Sequence, residues 1–243
     1  MTPPLFLLDA VPAGSHVVLD GPEGRHAATV KRLRPGEAVL LGDGCGVVAS
    51  GVVAAVGRDV VEVTLTDRAV APAPSPRVVV AQALVKGERG ELAVELATEA
   101  GVDEIVPWAA ARCVARWRTP EQVGKGVARW RSTARAAAKQ ARRPFVPVVR
   151  DLATTPEVAA RARAATSLAL HESSITPLAA ADLPAAGDVV LIVGPEGGLT
   201  EEELTVFGSA GATVVRLGPQ VLRTSTAGTV ALGALGVLTG RWT

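Results

Sequence analysis

The chain has 243 residues, 48% of them hydrophobic and 20% charged, with 25 Lys and Arg against 24 Asp and Glu. These proportions exclude wholesale disorder and fibrous classes, and the length suits two domains better than one small one. A net charge of +1 singles out no partner.

From about Leu5 to Asp67 the chain reads mostly as strands. Val17–Leu19, Ala38–Leu41, Gly46–Ala49 and Val60–Leu65 are short runs rich in valine and leucine, the composition of half-buried strands. Gly42-Asp-Gly-Cys-Gly46 between them is a turn, because glycine and aspartate tolerate positive φ. One helical stretch interrupts around Gly24–Leu33. Short strands on this scale predict a small β-barrel over residues 1–70. Ala69–Arg77 then places prolines at 72, 74 and 76. That spacing permits neither a helix nor a central strand, so residues 71–77 read as a linker.

Beyond the linker, strands and helices alternate. Strands are predicted at Val78–Ala83, Glu104–Val106, Val146–Val149, Ser167–His171, Val189–Val193 and Thr213–Arg216. Helices are predicted at Glu88–Ala100, Pro120–Arg142, Pro156–Ala165, Thr200–Ala210 and Ser225–Gly240. This order argues for a parallel sheet covered on both faces, over residues 78–243.

Cys45 and Cys113, with His16, His26 and His171 scattered, cannot build a Cys-rich zinc site or a disulfide framework. No metal is expected. No apolar run reaches the roughly 18 residues of a membrane span. The opening Met1–Asp9 lacks the positive start and long apolar core of a signal peptide. The expectation is a soluble cytoplasmic protein.

Charge is unevenly spread. From Arg112 to Arg150 there are 11 Lys or Arg and one acid, Glu121. At about 100° per residue, Val123, Val127, Trp130, Ala134, Ala138 and Ala141 share one helix face. Lys125, Arg129, Arg131, Arg135, Lys139, Arg142 and Arg143 fall on the other. A solvated face would carry mixed charge. This one lacks acids, and like charges at i,i+4 destabilise a helix, so the stripe points to a polyanion, most simply nucleic acid.

Two loops carry chemistry. Val189–Val193 runs into Gly194-Pro-Glu-Gly-Gly-Leu-Thr200 and then Glu201-Glu-Glu203. Thr200 with Glu203 is a capping box, and its glycines let a ligand approach the backbone. Three glutamates in the first turn repel phosphate, so a neutral or cationic ligand fits better than a nucleotide. The second loop is Leu217-Gly-Pro-Gln-Val-Leu-Arg-Thr-Ser-Thr-Ala227. Thr224, Ser225 and Thr226 offer a cap to a helix apolar nearly all round, hence buried. Arg223 stands at its mouth.

With these loops, the chain resembles the RsmE-type 16S ribosomal RNA uridine N3-methyltransferases, members of the SPOUT (trefoil-knotted) class. The resemblance rests on Gly194–Thr200, Leu217–Pro219, Val221–Thr224 and Thr226-Ala227. It extends to Gln82–Arg89 with Lys86, Ala97–Pro107, the Gln140–Arg143 to Val146-Pro147 stretch and Leu170-His-Glu172. Arg25-His26, Lys31–Gly36 with Arg32 and Arg34, and Asp43-Gly44 match in the first segment. Two positions and one short run depart from the pattern. Ser225 stands where a glutamate is usual and Gln220 where a basic residue is usual, and Lys139–Arg143 replaces a Glu-Gln-Ser-Gly-Arg-like run.

The resemblance implies a PUA-like RNA-binding barrel and a knotted, dimeric methyltransferase domain that binds S-adenosylmethionine. The cofactor would lie across Leu170, His171 and Glu172; Gly194, Pro195, Glu196, Gly197 and Gly198; and Leu217, Gly218, Val221, Leu222, Arg223, Thr224, Ser225, Thr226 and Ala227. Arg223 would serve catalysis, with Glu196, Glu172 or water as the base. Arg25, His26, Lys31, Arg32, Arg34, Lys86, Arg89, Arg112, Arg135, Lys139, Arg142 and Arg143 would meet the RNA of the small ribosomal subunit. Two alternatives share these residues: a knotted methyltransferase of tRNA or 23S rRNA, with a base or a ribose 2′-hydroxyl as acceptor, and a non-catalytic RNA-binding ribosome-assembly factor.

Overall fold

A computed structural model describes residues 2–242. The chain forms two compact units. One comprises Met1–Ala73 with Ala138–Val146, the other Pro74–Ala137 with Pro147–Thr243. The break near Ala73 falls inside the proline-rich linker. The excursion of 138–146 differs from the continuous second domain that the sequence suggests. Backbone bonding explains it: Gly46 N–H donates to the Pro144 carbonyl (3.0 Å) and Val146 N–H to the Gly44 carbonyl (2.9 Å).

The first unit is a five-stranded sheet in the order β1-β3-β4-β5-β2, with β1 Leu5–Leu7, β2 His16–Leu19, β3 Ala38–Gly42, β4 Val47–Gly57 and β5 Val60–Val70. β1 lies parallel to β3, and the other pairs are antiparallel. The edge strands β1 and β2 do not pair with each other, so the barrel is an open half-barrel. Its core gathers Phe6, Leu19, Val39, Leu41, Val53, Val61 and Val63. The predicted helical stretch is α1 Gly21–Arg25 continued by a π turn, His26–Val30. In the 42–46 turn, Gly44 (φ +70°) and Gly46 (φ +112°) take the positive φ expected. The Asp43 carboxylate accepts from Cys45 N–H at 2.7 Å and Val47 N–H at 3.0 Å.

The second unit holds a six-stranded sheet, β11-β9-β10-β6-β7-β8, parallel at every pair. Its strands are β6 Arg77–Ala83, β7 Glu104–Trp108, β8 Val148–Val149, β9 Thr166–Leu170, β10 Asp188–Val193 and β11 Thr213–Val215. β6, β7 and β10 are buried almost throughout, as a sheet covered on both faces requires. The helices are α2 Arg89–Glu99, α3 Pro120–Gln140, α4 Thr155–Arg163, α5 Glu201–Ser209 and α6 Thr224–Leu238. α4 and α5 pack together and against β9 and β11, while α6 packs on β6, β10 and α2. After the edge strand β11 the chain therefore crosses back over the carboxyl ends of β9 and β10 before α6 begins. Among the described residues, no helix is long and apolar enough to cross a membrane, and no cluster of His, Cys, Asp or Glu could hold a metal.

Candidate functional site

Three loops leave the carboxyl ends of β9, β10 and β11 and enclose a cleft, the place where open parallel sheets bind ligands. Capping and turn chemistry set each loop. Thr200 Oγ1 accepts from Glu203 N–H (3.1 Å), and the Glu203 carboxylate accepts from Thr200 N–H (3.0 Å). The predicted capping box is therefore formed. Glu203 is buried, and its other oxygen accepts from Ala111 N–H at 2.8 Å. In the third loop no side chain caps α6, unlike the cap that Thr224, Ser225 and Thr226 predict: Arg223 takes the N-cap position, and its carbonyl accepts the first helical bonds, from Thr226 and Ala227 N–H (2.9 Å each), and the Thr226 hydroxyl (3.1 Å). In the first, His171 N–H donates to the Val215 carbonyl (3.0 Å), tying β9 to β11, and the His171 ring pairs with Ser173 Oγ at 2.8 Å.

The cleft has two adjoining lobes. The first is lined by Leu170, His171 and Glu172, by Gly194, Pro195 and Gly198, and by Leu217, Gly218, Val221, Leu222, Thr224 and Ala227. The second adds Glu196, Arg223 and Ser225 together with Val85 and Arg89. Most of the predicted cofactor residues are thus brought together. Gly197 and Thr226 line neither lobe. The Gly197 carbonyl instead accepts from Arg112, and the Thr226 hydroxyl donates back to the Arg223 carbonyl. Sequence reasoning missed Val193, Leu199, Arg216 and Gln220 in the first lobe and Val85 in the second. Leu199 and Val85 lie inside recognised stretches, Gly194–Thr200 and Gln82–Arg89, and Val193, Arg216 and Gln220 adjoin them, so position in or beside a motif is the signal that could have flagged them.

The main chain also offers polar groups to the cleft. Among the described residues, the N–H groups of Leu217, Gly218, Val221 and Leu222 have no backbone or side-chain acceptor. Uncommitted N–H groups bordering a concave apolar surface are donors for a ligand. Beneath the third loop, the buried Gln82 amide donates to the carbonyls of Ala83 (3.2 Å) and Thr224 (3.5 Å). Arg89 reaches Ser225 Oγ at 3.5 Å. Burial, with smaller contributions from Glu196 and Glu203, pushes the Cys113 thiol up and leaves it an inert packing group.

The residues predicted to meet RNA divide. Arg25, Lys31, Arg32, Arg34 and Lys86 are exposed. His26 packs edge-on against Phe6, with ring centroids 5.9 Å apart. Burial and the Lys139 charge hold its pKa below the ordinary imidazole value, the behaviour of a packing residue. Lys139 is half-buried, 2.6 Å from Glu23, and lies over the Phe6 ring. Arg142 donates to the carbonyls of Pro3 and Thr2. Arg135 and Arg143 both have partners within the fold. Arg89 lines the second lobe, and Arg112 is bonded to the Gly194–Leu199 loop.

The helix α3 buries Val127, Trp130, Ala134, Ala137 and Ala138, close to the predicted face. Its basic face is not short of acids, however. Lys125 pairs with Glu121, Arg129 with Glu91 and Arg131 with Asp151. Two of these acids come from elsewhere in the chain, which corrects the uncompensated stripe read from the sequence.

The comparisons with known proteins agree with this geometry. A family model for an RNA methyltransferase domain matches residues 72–236, and one for an RNA methyltransferase PUA domain matches residues 19–66. The ribosomal RNA small subunit methyltransferase E of Mycobacterium bovis is 50% identical, over 98% of this chain and 93% of its own. That of Bacillus subtilis is 30% identical, over 89% and 88%. Among solved structures, the Neisseria gonorrhoeae ribosomal RNA small subunit methyltransferase E bound to S-adenosylmethionine superposes with a TM-score of 0.85, at 28% identity over 98% of both chains. A Legionella pneumophila methyltransferase in complex with the same cofactor gives a TM-score of 0.80, at 29% identity over 96% of both. The chain belongs to the ribosomal RNA small subunit methyltransferase E family.

Proposed function

We propose that this protein is an S-adenosylmethionine-dependent methyltransferase that modifies N3 of a uridine in the 16S rRNA of the small ribosomal subunit, acting in the cytoplasm as a homodimer. The observation that carries the reading is the three-loop cleft, with its free backbone donors and its flanking carboxylates. S-adenosylmethionine carries no phosphate and one sulfonium cation, so it suits a cleft bordered by Glu172 and Glu196. The free N–H groups of Leu217, Gly218, Val221 and Leu222 would hold the adenosine part. Leu170, Leu199 and Ala227 would supply apolar contact.

The cofactor, when bound, supplies an electrophilic methyl group for an in-line transfer that depends on positioning. The chain's residues must then manage one negative charge and one proton. Arg223 borders the second lobe with Arg89. A guanidinium there stabilises the charge that develops on the uracil oxygens when N3 is deprotonated. Glu196 and Glu172 border the same lobe and can accept the N3 proton. Because N3 lies on the pairing edge, the base must be unpaired or flipped to enter.

The first unit would hold RNA through Arg25, Lys31, Arg32 and Arg34, chiefly by phosphate contacts. Val230, Val237, Leu238 and Trp242, on or just after α6, are exposed apolar residues that a second copy would cover.

The test is incubation with methyl-labelled S-adenosylmethionine and small subunits carrying unmodified 16S rRNA, followed by digestion to nucleosides. Label in 3-methyluridine is the expected result. Label in another nucleoside, or none with 16S rRNA and tRNA also blank, overturns the reading.

A further inference from the structure

The basic segment 112–150 invites an RNA role for every residue in it, yet Arg112 is committed elsewhere. Its Nη1 donates to two main-chain carbonyls of the second cleft loop, Gly197 at 3.0 Å and Leu199 at 3.2 Å. The stem of the side chain runs against the same loop. A Cβ on Gly197 would stand 3.1 Å from Arg112 Cβ, so the close approach depends on that glycine.

The residues beside Arg112 are fixed as well. Ala111 N–H is held by the buried Glu203 carboxylate, and Cys113, itself buried, donates its N–H to the Ala110 carbonyl. The chain after β7 is therefore stitched to the 194–203 segment at two points. One is a buried acid that also caps α5, and the other is an arginine fork.

The loop needs such a tie. It contains Gly197 and Gly198 in succession, the second at φ +71°, and paired glycines lose more backbone freedom on ordering than any other residues. It is also crowded with negative charge, from Glu196 within it and Glu201, Glu202 and Glu203 just after it. Arg112 Nη1 and Glu172 Oε1 each lie 4.0 Å from the position a Cβ would take on Gly198. The guanidinium thus sits against the loop at the level of the cleft carboxylate.

We propose that Arg112 is a positioning residue, a clasp that holds the Gly194–Leu199 loop in its cofactor-binding form, and not a contact to RNA phosphate. Its effect on cofactor affinity rests on the proposed function. Its effect on loop order does not.

The experiment compares the full-length wild type with Arg112→Ala, Arg112→Gln and Arg112→Lys. Amide hydrogen exchange over residues 194–200 is followed without ligand. S-adenosylmethionine affinity is measured by calorimetry, and methyl transfer at saturating cofactor and binding to 16S rRNA are measured across a salt series. Loss of the fork should speed exchange in the loop and leave the rest of the sheet unchanged. It should weaken cofactor binding about tenfold or more, as expected for charge-assisted bonds to a loop that must otherwise be ordered on binding. Transfer at saturating cofactor should stay within about threefold of wild type, the signature of a group that orders the site without touching the reacting atoms. Arg112→Lys, keeping one donor and the charge, should recover part of the affinity.

The proposal is overturned if loop exchange and cofactor affinity match wild type. It is equally overturned if the salt slope of RNA binding falls by about one while cofactor affinity holds, which would make Arg112 a phosphate contact. A wild-type protein with no affinity for S-adenosylmethionine would sink the proposed function instead and leave loop exchange to judge the clasp. Should Arg112→Ala fail to fold, the Gln and Lys variants carry the same readouts.

Discussion

Replacing Glu104 tests whether a buried carboxylate organises the lower edge of the second sheet. Glu104 begins β7 with a side chain only 1% exposed, and it accepts from three guanidinium groups: Arg77, Arg150 at 2.8 Å and Arg161 at 2.9 Å. Charge-assisted bonds of this kind contribute about 1.5–3 kcal/mol each when buried. The donors here are 36%, 49% and 40% exposed, so water can replace the carboxylate for them and each bond is discounted to about 1 kcal/mol. Glu104→Gln should therefore destabilise the protein by about 2–3 kcal/mol at pH 7, toward the low end of what breaking a buried ion pair costs.

The pH dependence gives an independent check. Burial pushes the Glu104 carboxyl up, but hydrogen bonds from Arg150 and Arg77 outweigh it and hold the group below the usual glutamate range. With the folded value depressed, the stabilisation is complete above the unfolded value of about 4.3 and is lost as pH falls through the folded one. The gap between wild type and Glu104→Gln should be widest near neutrality and close on acidification. Urea denaturation followed by circular dichroism at several pH values between 7 and 3 measures it. A difference under about 1 kcal/mol at pH 7, against the expected loss of about 2–3 kcal/mol, or one that stays constant into acid, would refute this role for Glu104.

Arg223→Ala should lower methyl transfer by about 10²-fold or more and leave the melting temperature in place, since the side chain is exposed; full activity in single-turnover assays removes Arg223 from the site. Lys139→Ala should cost about 1–2 kcal/mol by breaking the half-buried pair with Glu23, and the salt slope of RNA binding should not change. The same variant should raise the His26 pKa toward its ordinary value, because the Lys139 charge is one of the influences holding it down; an unmoved imidazole titration by NMR counts against that. Gly24→Ala should destabilise the first unit by more than about 2 kcal/mol, because its Cβ would fall 2.4 Å from the Asp59 carbonyl and 2.5 Å from the Leu19 carbonyl; near-wild-type thermal unfolding would show that this backbone can yield.

The second sheet was legible because each strand is a short apolar run and two of its helices carry their own start signal. Thr200 with Glu203 and Thr154 with Glu157 form capping boxes, and these fix helix starts by local hydrogen bonding alone. The first unit was harder to read. β4 and β5 run for 11 residues each, with register shifts at Ser50/Gly51 and Val53/Ala55. Alternation breaks at such bulges, so the sequence shows only fragments of each strand. The parallel pairing of β1 with β3 and the return of residues 138–146 depend on long-range backbone bonds that no local pattern encodes.

The candidate site divides along the same physical line. Its loops could be found because their glycines, prolines and capping hydroxyls act on neighbours a few residues away. Its charges could not, because charge acts through space. The stripe on α3 reads as uncompensated until Glu91 and Asp151 arrive from other elements. Glu203 makes the point within one side chain. As the partner of Thr200 it is predictable from a spacing of three. As the acceptor for Ala111, 92 residues earlier, it is invisible until the chain folds. That second bond joins the segment bearing Arg112 to the loop that lines the cleft. An arginine read as an RNA contact from its basic neighbourhood thereby becomes part of the cofactor site's support.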